Sequence, residues 1–172
     1  MSGNHDGEQF VTLGLDREVF AVPVEFVREI LDMRTPFHIP EAPAHLAGLI
    51  DVRGRAVPVI DLRLKLGLAP REPGSDTRIV VLDVPVGSRT LSLGLIADRV
   101  FEVTALDQGD IGPPPDIGSA WHSEYIQGIG RRGDSFVVIF DLSRLLSSED
   151  VALLRVAGSR ATGSRAPIMA EA

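Results

Sequence analysis

The residues best placed by type and spacing to do chemistry are the glycines of the run Gly128-Ile129-Gly130-Arg131-Arg132-Gly133. They match the G-x-G-x-x-G fingerprint, in which a backbone closes on a pyrophosphate at the start of a helix. That chemistry needs a strand before the glycines and a helix after them. Here Ser135-Phe136-Val137-Val138-Ile139-Phe140 follows, a β-branched and aromatic run that predicts a strand. The glycines therefore read as hairpin positions, and an enzyme built on Gly128 to Gly133 is a disfavoured reading.

Other reactive groups are equally isolated. His5, His38, His45 and His122 show no i,i+4 pair and no neighbouring ligand cluster. With no cysteine in the chain, thiolate metal sites and disulfides are excluded. No nucleophile-elbow motif is present. Trp121 and Tyr125, near a strand start, read as packing residues with polar tips rather than as a stacking platform. No catalytic residue, cofactor or metal is expected. Glu25, Glu29 and Arg53 admit two readings. They are solvated carboxylates beside a turn arginine, or they form a recognition surface in which the planar fork of Arg53 grips carboxylates or helix-end carbonyls. Residue chemistry alone leaves both open.

The elements that must position these groups are written twice. LAGLIDVRGRAVPVIDLRLKL, from Leu46 to Leu66, aligns with IQGIGRRGDSFVVIFDLSRLL, from Ile126 to Leu146. Gly48 matches Gly128, and Asp61-Leu62 matches Asp141-Leu142. Arg53-Gly54 matches Arg132-Gly133 after a one-residue slip in the turn. Upstream, Glu25-Phe26-Val27-Arg28-Glu29-Ile30 matches Asp98-Arg99-Val100-Phe101-Glu102-Val103. Two copies of one small unit are too few for a solenoid and predict a pair of small barrels facing each other.

Each unit reads as short strands broken by turn residues, about five per copy, the number of a small barrel. Pro58 predicts an edge strand or a bulge. Asp61 is placed to cap a short helix over Leu62, Leu64 and Leu66, and a further helix is expected after Ser148-Glu149-Asp150. Residues 1–8 and 158–172 read as disordered tails, and 9–157 as the folded domain. The two barrels are expected to divide near 69–76, with strand or helix exchange possible at the ends. A unit of about 75 residues has too little core to stand alone, so a third core between the barrels is expected.

Composition limits the partners. A chain of 172 residues with 44% apolar content fits a globular protein, and a formal net charge of −7 opposes binding to nucleic acid. Aromatics at 5% leave little for base stacking, which disfavours a small-barrel oligonucleotide binder. No apolar run reaches membrane-span length and no signal pattern opens the chain. The expectation is a cytoplasmic protein with protein partners and no direct membrane insertion.

The run G-x-I-D-V-R-G-R-A-V-P-V-I-D-L-R within Leu46 to Leu66, with V-R-E-I at Val27 to Ile30 and E-Y-I-Q-G at Glu124 to Gly128, resembles CheW-type chemotaxis coupling proteins. The resemblance runs from about Gln9 to Leu154. It implies a mainly β fold of two five-stranded SH3-like barrels and a non-catalytic adaptor. The partners it implies are a chemoreceptor (methyl-accepting chemotaxis protein) cytoplasmic tip and the regulatory domain of the histidine kinase CheA, in membrane-bound or soluble receptor arrays. A coupling protein of a non-motility chemosensory array is the alternative. The family's receptor contacts fall on Val27, Glu29, Arg53 and Val103. Its ring-closing kinase contacts fall on Gly112 and Ile117, where many relatives carry an arginine and an aromatic.

Overall fold

The computed structural model describes residues 8–106, 111–113, 125–146, 150 and 152. Its strands form two five-stranded sheets. β1 (Glu8–Leu15) and β2 (Glu18–Pro23) make a hairpin in the first sheet. A 3-10 turn, Val24–Phe26, then carries the chain to the second sheet. There β3 (Val27–Asp32), β4 (Leu46–Val52), β5 (Arg55–Asp61), β6 (Arg78–Val86) and β7 (Arg89–Ala97) assemble in the order β3-β6-β7-β5-β4. Past Asp98 the chain returns. β8 (Arg99–Leu106), β9 (Ile126–Arg132) and β10 (Ser135–Phe140) complete the first sheet as β8-β1-β2-β10-β9. Single-turn helices α1 (Leu62–Lys65) and α2 (Leu142–Leu145) follow β5 and β10.

The two strand orders are one topology with the copies interchanged. β3, β4 and β5 flank the β6–β7 hairpin as β8, β9 and β10 flank β1–β2. Each sheet has one parallel contact in the equivalent place, β5 with β7 and β10 with β2. In each, the segment after the edge strand folds back on the opposite edge, through Phe37 on Leu49 and Gly112 on Ile129. The duplication read from the sequence is real, but the copies have traded strands. Residues 69–76, expected to divide two barrels, instead join α1 to β6 within the second sheet. The sheet boundaries fall at Val24–Phe26 and Asp98. A polar linker marks where chain meets water, whereas the crossing is made by Pro23, at φ −58°, and one tight turn.

Alternation along the strands feeds separate cores. Val11, Leu13 and Leu15 of β1 point the same way and meet Val80, Leu82 and Val84 of β6 in the largest core, between the sheets. Leu62 of α1 and Leu142 and Leu145 of α2 join it. Phe10 points the other way, to Ala21, Leu106, Val137 and Ile139 within the first sheet. Ile79 and Val81 likewise meet Ile50, Val57 and Val59 within the second. The expected third core is therefore present. Pro58 does not lie on an edge: β5 is flanked by β4 and β7, and its parallel pairing with β7 begins at Val59, one residue beyond the proline.

One buried arginine ties the crossing together. Asp61 caps α1, its carboxylate accepting from the backbone N–H groups of Arg63 (3.0 Å) and Leu64 (3.4 Å). The Arg63 guanidinium so placed donates to Asp16 in the β1–β2 turn at 2.7 Å and to Asp98 at 2.8 Å. Asp98 also accepts from the Asp16 N–H at 2.8 Å and from Arg71 at 3.1 Å. The hydrogen bond from Arg63 holds the Asp16 carboxyl below its ordinary range and raises the guanidinium further above neutrality.

Two outcomes are expected. Cleaving the backbone within 69–76 should leave the fragments associated in one cooperatively melting complex, because each sheet needs strands from both sides of the cut. The fragment 1–74 alone should show no cooperative melt. Co-elution on size exclusion and calorimetry of cut and uncut protein decide this. A lowered carboxyl pKa stabilises the fold above its unfolded value and loses that effect as pH falls through the folded one. Asp16→Asn should therefore be less stable than the native chain at neutral pH, and the gap should close below about pH 4. Urea midpoints across that range, showing a constant gap, would contradict the role given to the ion pair.

Candidate functional site

The 3-10 turn delivers β3 with a register slip between Val27, which pairs with Leu82, and Glu29, which pairs with Val81. The slip lets Val27 and Ile30, opposite Leu82 and Val80, both face the side of the shared core. Glu29, opposite Val81, faces the interior side of its own sheet. Across that sheet the β4–β5 turn brings Arg53 to it, with Nε at 3.3 Å from one carboxylate oxygen and Nη2 at 3.4 Å from the other.

The backbone under Arg53 is costly. Arg53 at φ +54° and Gly54 at φ +85° both take left-handed conformations, as a two-residue hairpin turn requires. Glycine adopts this freely, whereas a side chain there costs about 1–2 kcal/mol. Asp51 partly offsets it by accepting from the Gly54 N–H at 2.8 Å. The Arg53 side chain is 81% exposed, and an ion pair so open to water adds little stability. What the pair does is aim the guanidinium.

Of the residues singled out by sequence, Val27, Glu29 and Arg53 lie together on the second sheet. Val103 lies on β8 in the first, 54% exposed and opposite Val11 of the shared core. It thus borders the seam from the other side. Ile30, 43% exposed and facing that seam, was not singled out. The signal was its alignment with Val103. The pairing also repeats: Glu102 and Arg132 of the first sheet approach to 3.8 Å, as Glu29 and Arg53 do in the second. Gly112 exchanges two 2.9 Å backbone hydrogen bonds with Ile129, and a side chain at Gly112 would meet open space. Ile117, like Trp121, lies outside the described residues.

The glycines that mimic a phosphate loop do other work. Gly128 and Gly130 lie in β9, and Gly133, at φ +62°, sits in the hairpin turn. A Cβ on Gly128 would stand 2.9 Å from the Gly112 carbonyl oxygen. Its counterpart Gly48 is tighter, with φ +144° and a Cβ position 2.1 Å from the Phe37 carbonyl oxygen. Both glycines let the returning segment close its sheet. Among the described residues no cluster of three or more His, Asp or Glu could hold a metal. His45 bonds Asp150 at 2.6 Å, and Lys65 pairs with the same carboxylate while lying 5.4 Å from the Tyr125 ring centroid. This buried cluster ties Asp150 to α1 and to the residue before β4. No helix among the described residues is long and apolar enough to cross a membrane.

Two interlocked sheets, with an apolar seam between them and an aimed guanidinium in the β4–β5 turn, define a small β module whose accessible chemistry is that of a binding surface. Residues 9–150 match the family described as CheW-like domain. The chain belongs to the CheW family of chemotaxis coupling proteins. It is 32% identical over 155 residues to the chemotaxis protein CheW of Treponema pallidum, covering 88% of this chain and 89% of that one. With CheW of Klebsiella aerogenes it shares 30% identity over 154 residues and 90% of each chain. The crystal structure of the scaffolding protein TtCheW from Thermoanaerobacter tengcongensis superposes with a TM-score of 0.73 at 28% identity, over 84% of this chain and 95% of that one.

Gly48→Ala should lower unfolding stability by about 2–4 kcal/mol, combining backbone strain with a clash against a carbonyl. Gly54→Ala, at positive φ but in open space, should cost only about 1 kcal/mol. Urea unfolding of both variants checks the contrast; equal losses would mean that the Phe37 approach carries no weight.

Proposed function

We propose that this chain is a non-catalytic adaptor joining the cytoplasmic tip of a chemoreceptor to the regulatory domain of a CheA-type histidine kinase. On this reading it works in the cytoplasm, attached to a receptor array. Family membership and the likeness to a protein described as a scaffold support the class. The observation that carries the site is Arg53, an exposed arginine kept on a left-handed backbone where glycine or asparagine would be more stable. Asp16 and Glu41 share such a backbone, but at Arg53 it is joined to a guanidinium 81% exposed and held by Glu29, which supports a use in binding.

In the proposal Arg53, aimed by Glu29, takes carboxylates or helix-end carbonyls of the receptor tip. Val27, Ile30 and Val103 supply the apolar floor along the seam. Gly112 and Ile117 face a second kinase domain. With open space at Gly112 and no aromatic at position 117, that contact lacks the anchors that concentrate interface energy.

Arg53→Gly separates the two roles. It should raise unfolding stability by up to about 1 kcal/mol while weakening receptor-tip binding by about 2 kcal/mol, roughly thirtyfold. Affinity for the kinase regulatory domain should not change. Calorimetric titration with a receptor-tip fragment and with the kinase domain, beside thermal melts, measures all three. Undiminished receptor affinity in the folded variant would remove Arg53 from the site.

A further inference from the structure

The two crossings are built from equivalent residues but finished differently. At Asp98 the carboxylate is answered from within: Arg63, two residues past the capping Asp61, donates to it at 2.8 Å and leaves it 12% exposed. At Val24–Phe26 the repeat puts Glu25 where Asp98 stands, and Asp141-Leu142-Ser143 where Asp61-Leu62-Arg63 stand. Register completes the match. Val27 pairs with Leu82 as Val100 pairs with Leu13, so Pro85 falls where Asp16 does. The arginine of one crossing is a serine at the other.

In its place lies a cavity of about 330 Å³, walled by the buried Val84, Phe140 and Leu142. Glu8, Glu25 and Asp141 line it as well, and no lysine, arginine or histidine does. Asp141 is engaged by α2: it accepts from the Ser143 hydroxyl at 2.7 Å, and Arg144 Nε lies 3.7 Å away. Among the described residues no cation lies within ion-pair distance of Glu8 or Glu25. Apolar walls with carboxylates at hand suit arginine above other side chains. Its stem packs against such walls while its planar fork donates to the carboxylates.

We propose that this cavity receives the guanidinium of Arg165, so that the end of the chain closes one crossing as Arg63 closes the other. Residues 153–172 carry Arg155, Arg160 and Arg165 against a single acid, Glu171, in a chain of net charge −7. Reach selects among them. Ser143 precedes Ala152 by nine residues, at most about 32 Å of chain, and Arg165 follows Ala152 by thirteen, about 45 Å. Its contour exceeds the largest separation the chain allows, whereas that of Arg160, about 28 Å, does not. Tethering favours it over an arginine from another protein, because a linked group acts at a roughly millimolar effective concentration.

The chain has no cysteine, so Met169→Cys gives the full chain a unique site for a nitroxide spin label. Against the reduced label, the nitroxide should strip most of the intensity from the backbone amide NMR signals of Glu25, Gln127 and Ser143. Arg165→Gln should restore those signals, and so should Glu8→Gln with Glu25→Gln. Ser143→Arg, which supplies the missing arginine from α2, should restore them too, whereas Ser143→Ala should not. Circular dichroism melts confirm that each variant is folded. The proposal is overturned if the three amides keep their intensity, or if their broadening survives Arg165→Gln, the paired glutamate change or Ser143→Arg. Saturable binding of N-acetyl-arginine amide at these amides, in a chain whose own label leaves them sharp, would give the cavity to a partner's arginine and overturn Arg165 as its occupant.

Discussion

The chain changes sheets twice, at Val24–Phe26 and at Asp98, and the rest of the architecture depends on those crossings. Because of them neither copy of the repeat owns a sheet, and β1 and β6 each bury both faces, one inside a sheet and one between sheets. The largest core lies between the sheets, where α1 and α2 also insert leucines. Arg63 is placed to matter here. It comes from the first copy, yet it grips the turn of the first sheet and the residue at which the second copy crosses back. A buried guanidinium is tolerated because two carboxylates and the Ala69 carbonyl answer its donors.

The same arrangement shapes the surface proposed for receptor binding. Exchange puts β3 and β8 in different sheets but in equivalent places, so Ile30 and Val103 face one seam from opposite sides. The register slips let two apolar residues of each strand face that seam while the glutamate beside them turns to the hairpin arginine. Pairing register sets which side chains of β3 and β8 line this surface.

Much of this was legible in residue order. The paired motifs gave away the duplication, and with it the equivalences of Gly48 with Gly128 and of Asp61 with Asp141 as helix caps. The mainly β class followed from short β-branched runs between turn residues, and the third core from the size of each copy. What residue order hid was partnership. Hairpin neighbours leave a local mark in their turns, but whether β6 and β7 join β5 of the first copy or β10 of the second leaves none. The dividing line at 69–76 was misplaced for that reason. Pro58 marks no edge, but the other expected reading, a bulge, is met beside it: the β4–β5 register shifts between Leu46 and Gly48, next to its partner Leu49, and the ladder to β7 starts only at Val59. At the site, Glu29 and Arg53 were visible as types, but their contact depends on a turn conformation that arginine disfavours. Arg132 was visible as the repeat partner of Arg53, but its approach to Glu102 was not.

The order of the sheets along the chain also sets a mechanical hierarchy. Residues 27–97 run without interruption through the second sheet, while both outer portions of the chain belong to the first. A pull applied through the β1 end loads β1 against β2 and β8 before any tension enters β3 or β7, whereas a pull at the far end is also taken up where Asp150 bonds His45 and Lys65. The first sheet acts as a clasp, and the sheet carrying Arg53 lies downstream of it on the load path. A protein tethered by its β1 end would yield at the clasp first and keep its Glu29–Arg53 edge in shape.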